Sequence, residues 1–120
     1  MDSTRLRAWV GNWPGVTEDV KWGNDLVFSV AGKMFCVIDA TPVADGGSGR
    51  LSFKVDDDRF LELTDRPGIL PAPYMARAKW ICLAEPDAMR DAELKPLLRR
   101  SYELVRSKLT KVKQRELGDG

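Results

Sequence analysis

Apolar residues in the first stretch of the chain recur with helical spacing. Leu6, Trp9, Val10 and Trp13 fall at i, i+3, i+4 and i+7, which predicts a helix over 4–13 with Ser3 or Thr4 as its N-cap. Pro14-Gly15 ends it. The period then shortens to two. Val20-Lys21-Trp22, the turn residues Gly23-Asn24-Asp25 and the apolar run 26–30 predict a strand, a turn and a strand. Ala31-Gly32 is a two-residue loop into 33–38, so Val30 and Lys33 become cross-strand partners, with Phe28 opposite Phe35 and Leu26 opposite Val37. That register gathers Leu26, Phe28, Val30, Phe35 and Val37 on the core face. Val27, Ser29, Met34, Cys36 and Ile38 take the other.

Residues 41–49, with Pro42 and Gly46-Gly47-Ser48-Gly49, read as a loop between strands. In 51–55 Leu51, Phe53 and Val55 face inward, Ser52 and Lys54 outward. Asp56-Asp57-Asp58 precede Phe60, Leu61 and Leu63, so these acids are expected to cap a helix over 57–65, favoured by its dipole, rather than to form a metal cluster. Pro71 and Pro73 make 69–74 a rigid connection leading into a last strand over 79–83. Beyond Asp87, Leu94, Leu97, Leu98, Tyr102, Val105 and Leu109 mark a long amphipathic helix, with Arg99, Arg100, Arg106 and Lys108 on its opposite side. Pro96 lies deep inside if that helix begins near Asp91, or at its first position if it begins at Lys95. Residues 111–120 read as a frayed tail. The whole chain, 1–120, is expected to form a single domain. Its fold class is α+β, a two-layer sandwich in which helices cover one face of an antiparallel sheet of about five strands and the other face stays open.

Composition removes whole classes of function. Lys and Arg number 19 against 18 Asp and Glu in 120 residues, so binding to nucleic acid would need a local patch rather than net charge. The chain has no histidine, which excludes Ser-His-Asp and Cys-His catalysis and the commonest metal ligand. Glu18, Asp19 and Asp25 read as solvated acids, and the glycine run precedes a strand where phosphate loops open a helix. No catalytic residue, metal or cofactor is expected. Cys36 and Cys82 fit no zinc or redox spacing and read as buried free thiols in a reduced, cytoplasmic setting. No segment reads as a signal peptide or a membrane span.

The positive signal is an alternation of cations with aromatic residues: Lys21-Trp22, Lys33 near Phe35, Lys54, Arg77 and Lys79-Trp80. Trp80 falls on the strand face opposite Ile81 and Leu83, which places it on the outer face beside Lys54, Met34 and Cys36. Either Trp22 and Trp80 shield the sheet under lysine stems, or they are exposed and contact a partner.

Ordered segments along nearly the whole chain add a resemblance. They run from Pro14-Gly15-Val16-Thr17-Glu18-Asp19-Val20-Lys21-Trp22-Gly23-Asn24 through Gly32-Lys33-Met34-Phe35, Leu51-Ser52-Phe53-Lys54, Pro67-Gly68, Pro71-Ala72-Pro73-Tyr74 and Lys79-Trp80 to Ser101-Tyr102-Glu103-Leu104-Val105. In these the chain resembles the MmcQ/YjbR-like family of small bacterial proteins. The resemblance implies a CyaY-like, frataxin-like fold and a double-wing DNA-binding motif in a family of largely uncharacterised role. Pro96 and Trp13 depart from its pattern. A frataxin-like iron site would need an acidic first helix, whereas this one reads Asp2-Ser3-Thr4-Arg5-Leu6-Arg7 and lacks the oxygen ligands. The leading expectation is DNA binding through Lys21, Trp22, Lys33, Lys54, Arg77, Lys79 and Trp80. The alternatives are a protein partner docked on the open sheet face around Trp80, and a small-molecule pocket near 71–74 anchored by Lys54 or Lys79.

Overall fold

The computed structural model describes residues 3–21, 25–39, 50–72, 75–84 and 88–117. Its elements are α1 (Ser3–Val10), β1 (Val16–Lys21), β2 (Asp25–Val30), β3 (Lys33–Asp39), β4 (Leu51–Lys54), α2 (Asp57–Thr64), β5 (Ile69–Pro71), a 3-10 turn (Ala76–Ala78), β6 (Trp80–Leu83), α3 (Asp91–Arg106) and α4 (Lys111–Leu117). The strands form one sheet in the order β1-β2-β3-β4-β6-β5, every neighbouring pair antiparallel. The α+β architecture is the expected one, with a sixth strand. The added strand is β5, in the segment read from its prolines as a plain connection. An edge strand tolerates proline because half of its N–H groups face away from the sheet. Trp22, the turn at 23–24, the loop 41–49, Pro73 and Tyr74 lie outside the described residues.

The β2–β3 hairpin begins in the expected register, Val30 opposite Lys33 and Ser29 opposite Met34. Ala31 and Gly32 both have positive φ, 50° and 81°, as a type I′ turn requires. The register then shifts between Phe28 and Ser29, so that Phe28 opposes Cys36 and Leu26 opposes Ile38. Phe35 is the extra residue of a β-bulge. Beyond it the side chains of β3 exchange faces, since sides alternate with a period of two. Cys36 and Ile38 therefore join the core, and Val37 moves to the outer face, the reverse of the expected assignment.

The bulge is held from the helix layer. Ser101, fully buried on α3, donates its hydroxyl to the Phe35 carbonyl at 2.6 Å and accepts the Lys54 N–H at 3.0 Å. These are the backbone groups just beyond the last β3–β4 pair, Cys36 with Phe53, so one hydroxyl satisfies two buried groups that would otherwise be orphaned. Next to it, Tyr102 packs against Trp13 and Phe35 with ring centroids 5.2 and 5.5 Å away and donates to the Pro14 carbonyl at 2.5 Å.

Helix α1 stops at Val10 rather than reaching Trp13. Gly11 lies where a Cβ would come within 2.6 Å of the Arg7 carbonyl, and Trp13 packs against the core from the turn beyond it. Helix α3 begins at Asp91, so Pro96 is inside the helix and forgoes a bond to the Ala92 carbonyl. Ion pairs of Arg66 with Glu93 and of Arg5 with Asp91 hold that first turn. Asp56 precedes α2 but makes no side-chain capping bond; its carboxylate pairs with Arg100 at 2.9 Å. The expected frayed tail carries α4, whose N-terminus is capped by the Thr110 hydroxyl accepting the Lys113 N–H.

The outer face of the sheet, which no long helix covers, carries a small apolar cluster of its own. Trp80, Cys82 and Ala72 form a second buried cluster with Met34, Val37 and Met75 packed against it. Backbone bonds from Ala72 N–H to the Trp80 carbonyl and from Trp80 N–H to the Met75 carbonyl fold this chain segment back on β6.

Candidate functional site

Register alone decides which of the expected site residues meet. Lys33 starts β3 opposite Val30, Lys54 ends β4 opposite Trp80, and Arg77 and Lys79 lead into β6. All of them lie at one end of the sheet. Lys21 pairs with Asp25, which pairs with Asp39, so it belongs to the opposite end, five residues along β2 or roughly 17 Å away at the rise of a strand. Trp22 is outside the described residues.

Trp80 lies on the expected face but is only 4% exposed. Its ring is part of the outer cluster and does not present a stacking surface, which agrees with the shielding alternative rather than the exposed one. The physical reason is Met75, which packs on this cluster with Met34 and Val37 and which the sequence pattern did not place over β6.

A further cation completes the group. Lys108, just beyond the C-terminal end of α3 where the helix dipole favours positive charge, lines the same concavity as Lys33 and Lys54, about 510 Å³ in volume. Burial holds the Lys54 ammonium below the ordinary lysine range, and the charges of Lys108 and Lys79 push the same way against Asp57. Its Nζ donates to the Ala78 carbonyl. Lys79 adopts a left-handed backbone, φ 64°, which costs a non-glycine residue on the order of 1 kcal/mol. Its N–H bonds to the Ala76 carbonyl, its own carbonyl accepts the Val55 N–H, and its Nζ sits 5.2 Å over the Phe60 ring.

Among the described residues Lys33, Lys54, Arg77, Lys79 and Lys108 form no ion pair. Acids do border this end, because Asp56, Asp57 and Asp58 line an adjoining concavity with Lys54 and Lys108. Of these, Asp56 is held below the usual carboxylate range by its hydrogen bonds to Arg100.

The helix layer carries an aromatic and cationic group that sequence reasoning missed. Arg99 lies 5.0 Å from the Trp13 ring and 4.7 Å from the Tyr102 ring, and Lys95 lies 4.7 Å from the Trp9 ring. The signal was the four-residue spacing of Lys95 and Arg99 beside Trp9 and Trp13, but nothing in the pattern says that α1 and α3 are neighbours. No group of three or more His, Cys, Asp or Glu among the described residues is placed to hold a metal. Nor is any helix there long and apolar enough to cross a membrane.

A six-stranded antiparallel sheet backed by helices, with a cluster of cations at one end, defines a small α+β fold. The profile of the YjbR family matches residues 11–104, and the chain belongs to that family. It is similar over 99% of its length to the Deinococcus radiodurans protein DR2400, a DUF419-domain structure, with 31% identity, a TM-score of 0.86 and 89% of that chain covered. A Pseudomonas syringae protein solved by structural genomics shares the fold at 21% identity and a TM-score of 0.66, with 88% of this chain and 99% of that chain covered. No curated protein matches.

Proposed function

We propose that this YjbR-family chain binds nucleic acid, DNA in the first instance, by its phosphate backbone at the basic end of the sheet. The observation that carries the reading is the convergence of Lys33, Lys54, Arg77, Lys79 and Lys108 without ion-pair partners among the described residues, in a chain whose net charge is only +1. The β2–β3 hairpin supplies a wing, its type I′ turn at Ala31-Gly32 setting Lys33 at the tip. Contacts of this kind position a protein on phosphates without reading sequence. Trp80 has a supporting role beneath the lysines rather than a stacking one.

A labelled duplex and a single strand of equal length, titrated at two salt concentrations, test this. Affinity should fall steeply with salt, with a slope of about 0.9 per phosphate neutralised on the duplex. Absence of binding at low salt with high-micromolar protein would sink the reading. A protein partner on the outer sheet face has less to support it, since its expected anchor, Trp80, is buried.

A further inference from the structure

The basic end has a second property that phosphate contacts alone do not use, an apolar floor. The concavity of about 510 Å³ has Trp80, Met34 and Met75 on one side and Val105 and Leu109 on another, with Lys33, Lys54 and Lys108 around them. Its volume lies within the range of small-molecule sites, which combine apolar lining with a few polar groups that fix orientation. An inorganic anion would leave the apolar lining unused. A neutral apolar molecule would leave three ammonium groups in mutual repulsion.

We propose that this concavity is the binding site for a small amphiphilic anion, an apolar body ending in one carboxylate or phosphate. The apolar body lies against Met34, Met75 and Leu109, and the anionic group sits among Lys54, Lys108 and Lys33. Lys54 is already partly buried, with its Nζ bonded to the Ala78 carbonyl, and burial together with the neighbouring Lys108 and Lys79 charges disfavours its charged form. An anion at that point adds to the countercharge that Asp57 supplies from the adjoining concavity. The inference stands apart from nucleic-acid binding, although a ligand here would occupy three of the same lysines and compete for them.

Isothermal titration with naphthoate tests it, with naphthalenemethanol as the neutral analogue and inorganic phosphate as the anion without an apolar body. One saturable site is expected, at least about tenfold weaker for either control and about tenfold weaker in the K54Q/K108Q double variant. L109W, which fills the concavity from the α3 side, should abolish naphthoate binding while thermal unfolding shows that the chain remains folded. Equal affinity for naphthoate in wild type and K54Q/K108Q overturns the proposal, as does phosphate binding as tightly as naphthoate. R77Q separates the two readings: Arg77 is outside the lining of the concavity, so the change should weaken DNA binding and leave naphthoate affinity unchanged. Naphthoate bound by a protein that ignores DNA would remove only the nucleic-acid reading, and the converse only this one.

Discussion

The helix layer and the basic end of the sheet use positive charge in opposite ways. In the helix layer arginines are tied to carboxylates: Arg7 to Glu18 at 2.8 Å, Arg66 to Glu93 and Arg100 to Asp56, each at 2.9 Å. Each pair joins parts of the chain distant in sequence, α1 to β1, the turn after α2 to α3, and α3 to the start of α2. At the sheet end lysines gather instead, without such partners among the described residues. Guanidinium forks suit fixed bidentate pairing, whereas an ammonium on a flexible stem suits a partner that arrives from solution. Charge neutralised in place holds the fold, whereas the proposed binding role falls to the cations that carry no such pair among the described residues.

Substitutions in the two regions should therefore separate stability from binding. The largest effect is expected at Tyr102, which is fully buried against Trp13 and Phe35. Y102A should cost about 3–5 kcal/mol in a denaturant titration, while the salt dependence of DNA binding by the remaining folded protein is unchanged. Next is S101A, which orphans the Phe35 carbonyl and the Lys54 N–H. It should cost about 1–3 kcal/mol, and amide exchange at Lys54 should accelerate. A loss well below that range would mean that the bulge does not need its hydroxyl.

Acid should weaken the helix layer before the sheet. Hydrogen bonds from Arg100 and Arg66 hold the carboxyls of Asp56 and Glu93 below their ordinary range. Their folded pKa values lie below the unfolded ones, so this stabilisation is present above about pH 4.5 and disappears as pH falls through the folded values. Because the pairs are largely exposed, each is worth less than about 1 kcal/mol, and E93Q should flatten the acid limb of the stability profile by a similar amount. Asp25 runs the other way. Burial, with Asp39 beside it, raises its carboxyl, so its contribution is present at low pH and lost as pH rises through the folded value, partly offsetting the trend.

The smallest change is at the hairpin. Ala31 has φ 50°, and A31G should raise stability by roughly 0.5–1 kcal/mol by removing the Cβ from a left-handed position. DNA affinity should not weaken, because the cation beside the turn is Lys33.

Periodicity made most of this fold legible. The strand alternation in 51–55 and the apolar stripe of α3 both point at the core as drawn from the sequence. What failed was local and has a single cause, in that tertiary partners override pattern. The bulge at Phe35 depends on a hydroxyl 66 residues away, so the faces of Cys36, Val37 and Ile38 could not be assigned from a two-residue loop. The β5 strand was hidden by its prolines, and the choice between a shielded and an exposed Trp80 stayed open because nothing marked Met75 as its cover. Of the candidate site, Lys33, Lys54, Arg77 and Lys79 meet at one end because all flank strand ends that antiparallel pairing brings together. Lys108 joined them only through the packing of α3 on the sheet.

The contrast between the ion-paired helix layer and the basic end of the sheet is tested most directly by measuring duplex DNA affinity against salt for the wild type and for K33Q/K79Q/K108Q. The wild type should bind at low salt, and the variant, equally stable to denaturant, should show a slope lower by about one for each phosphate contact removed. A variant with the wild-type slope and affinity would contradict the account.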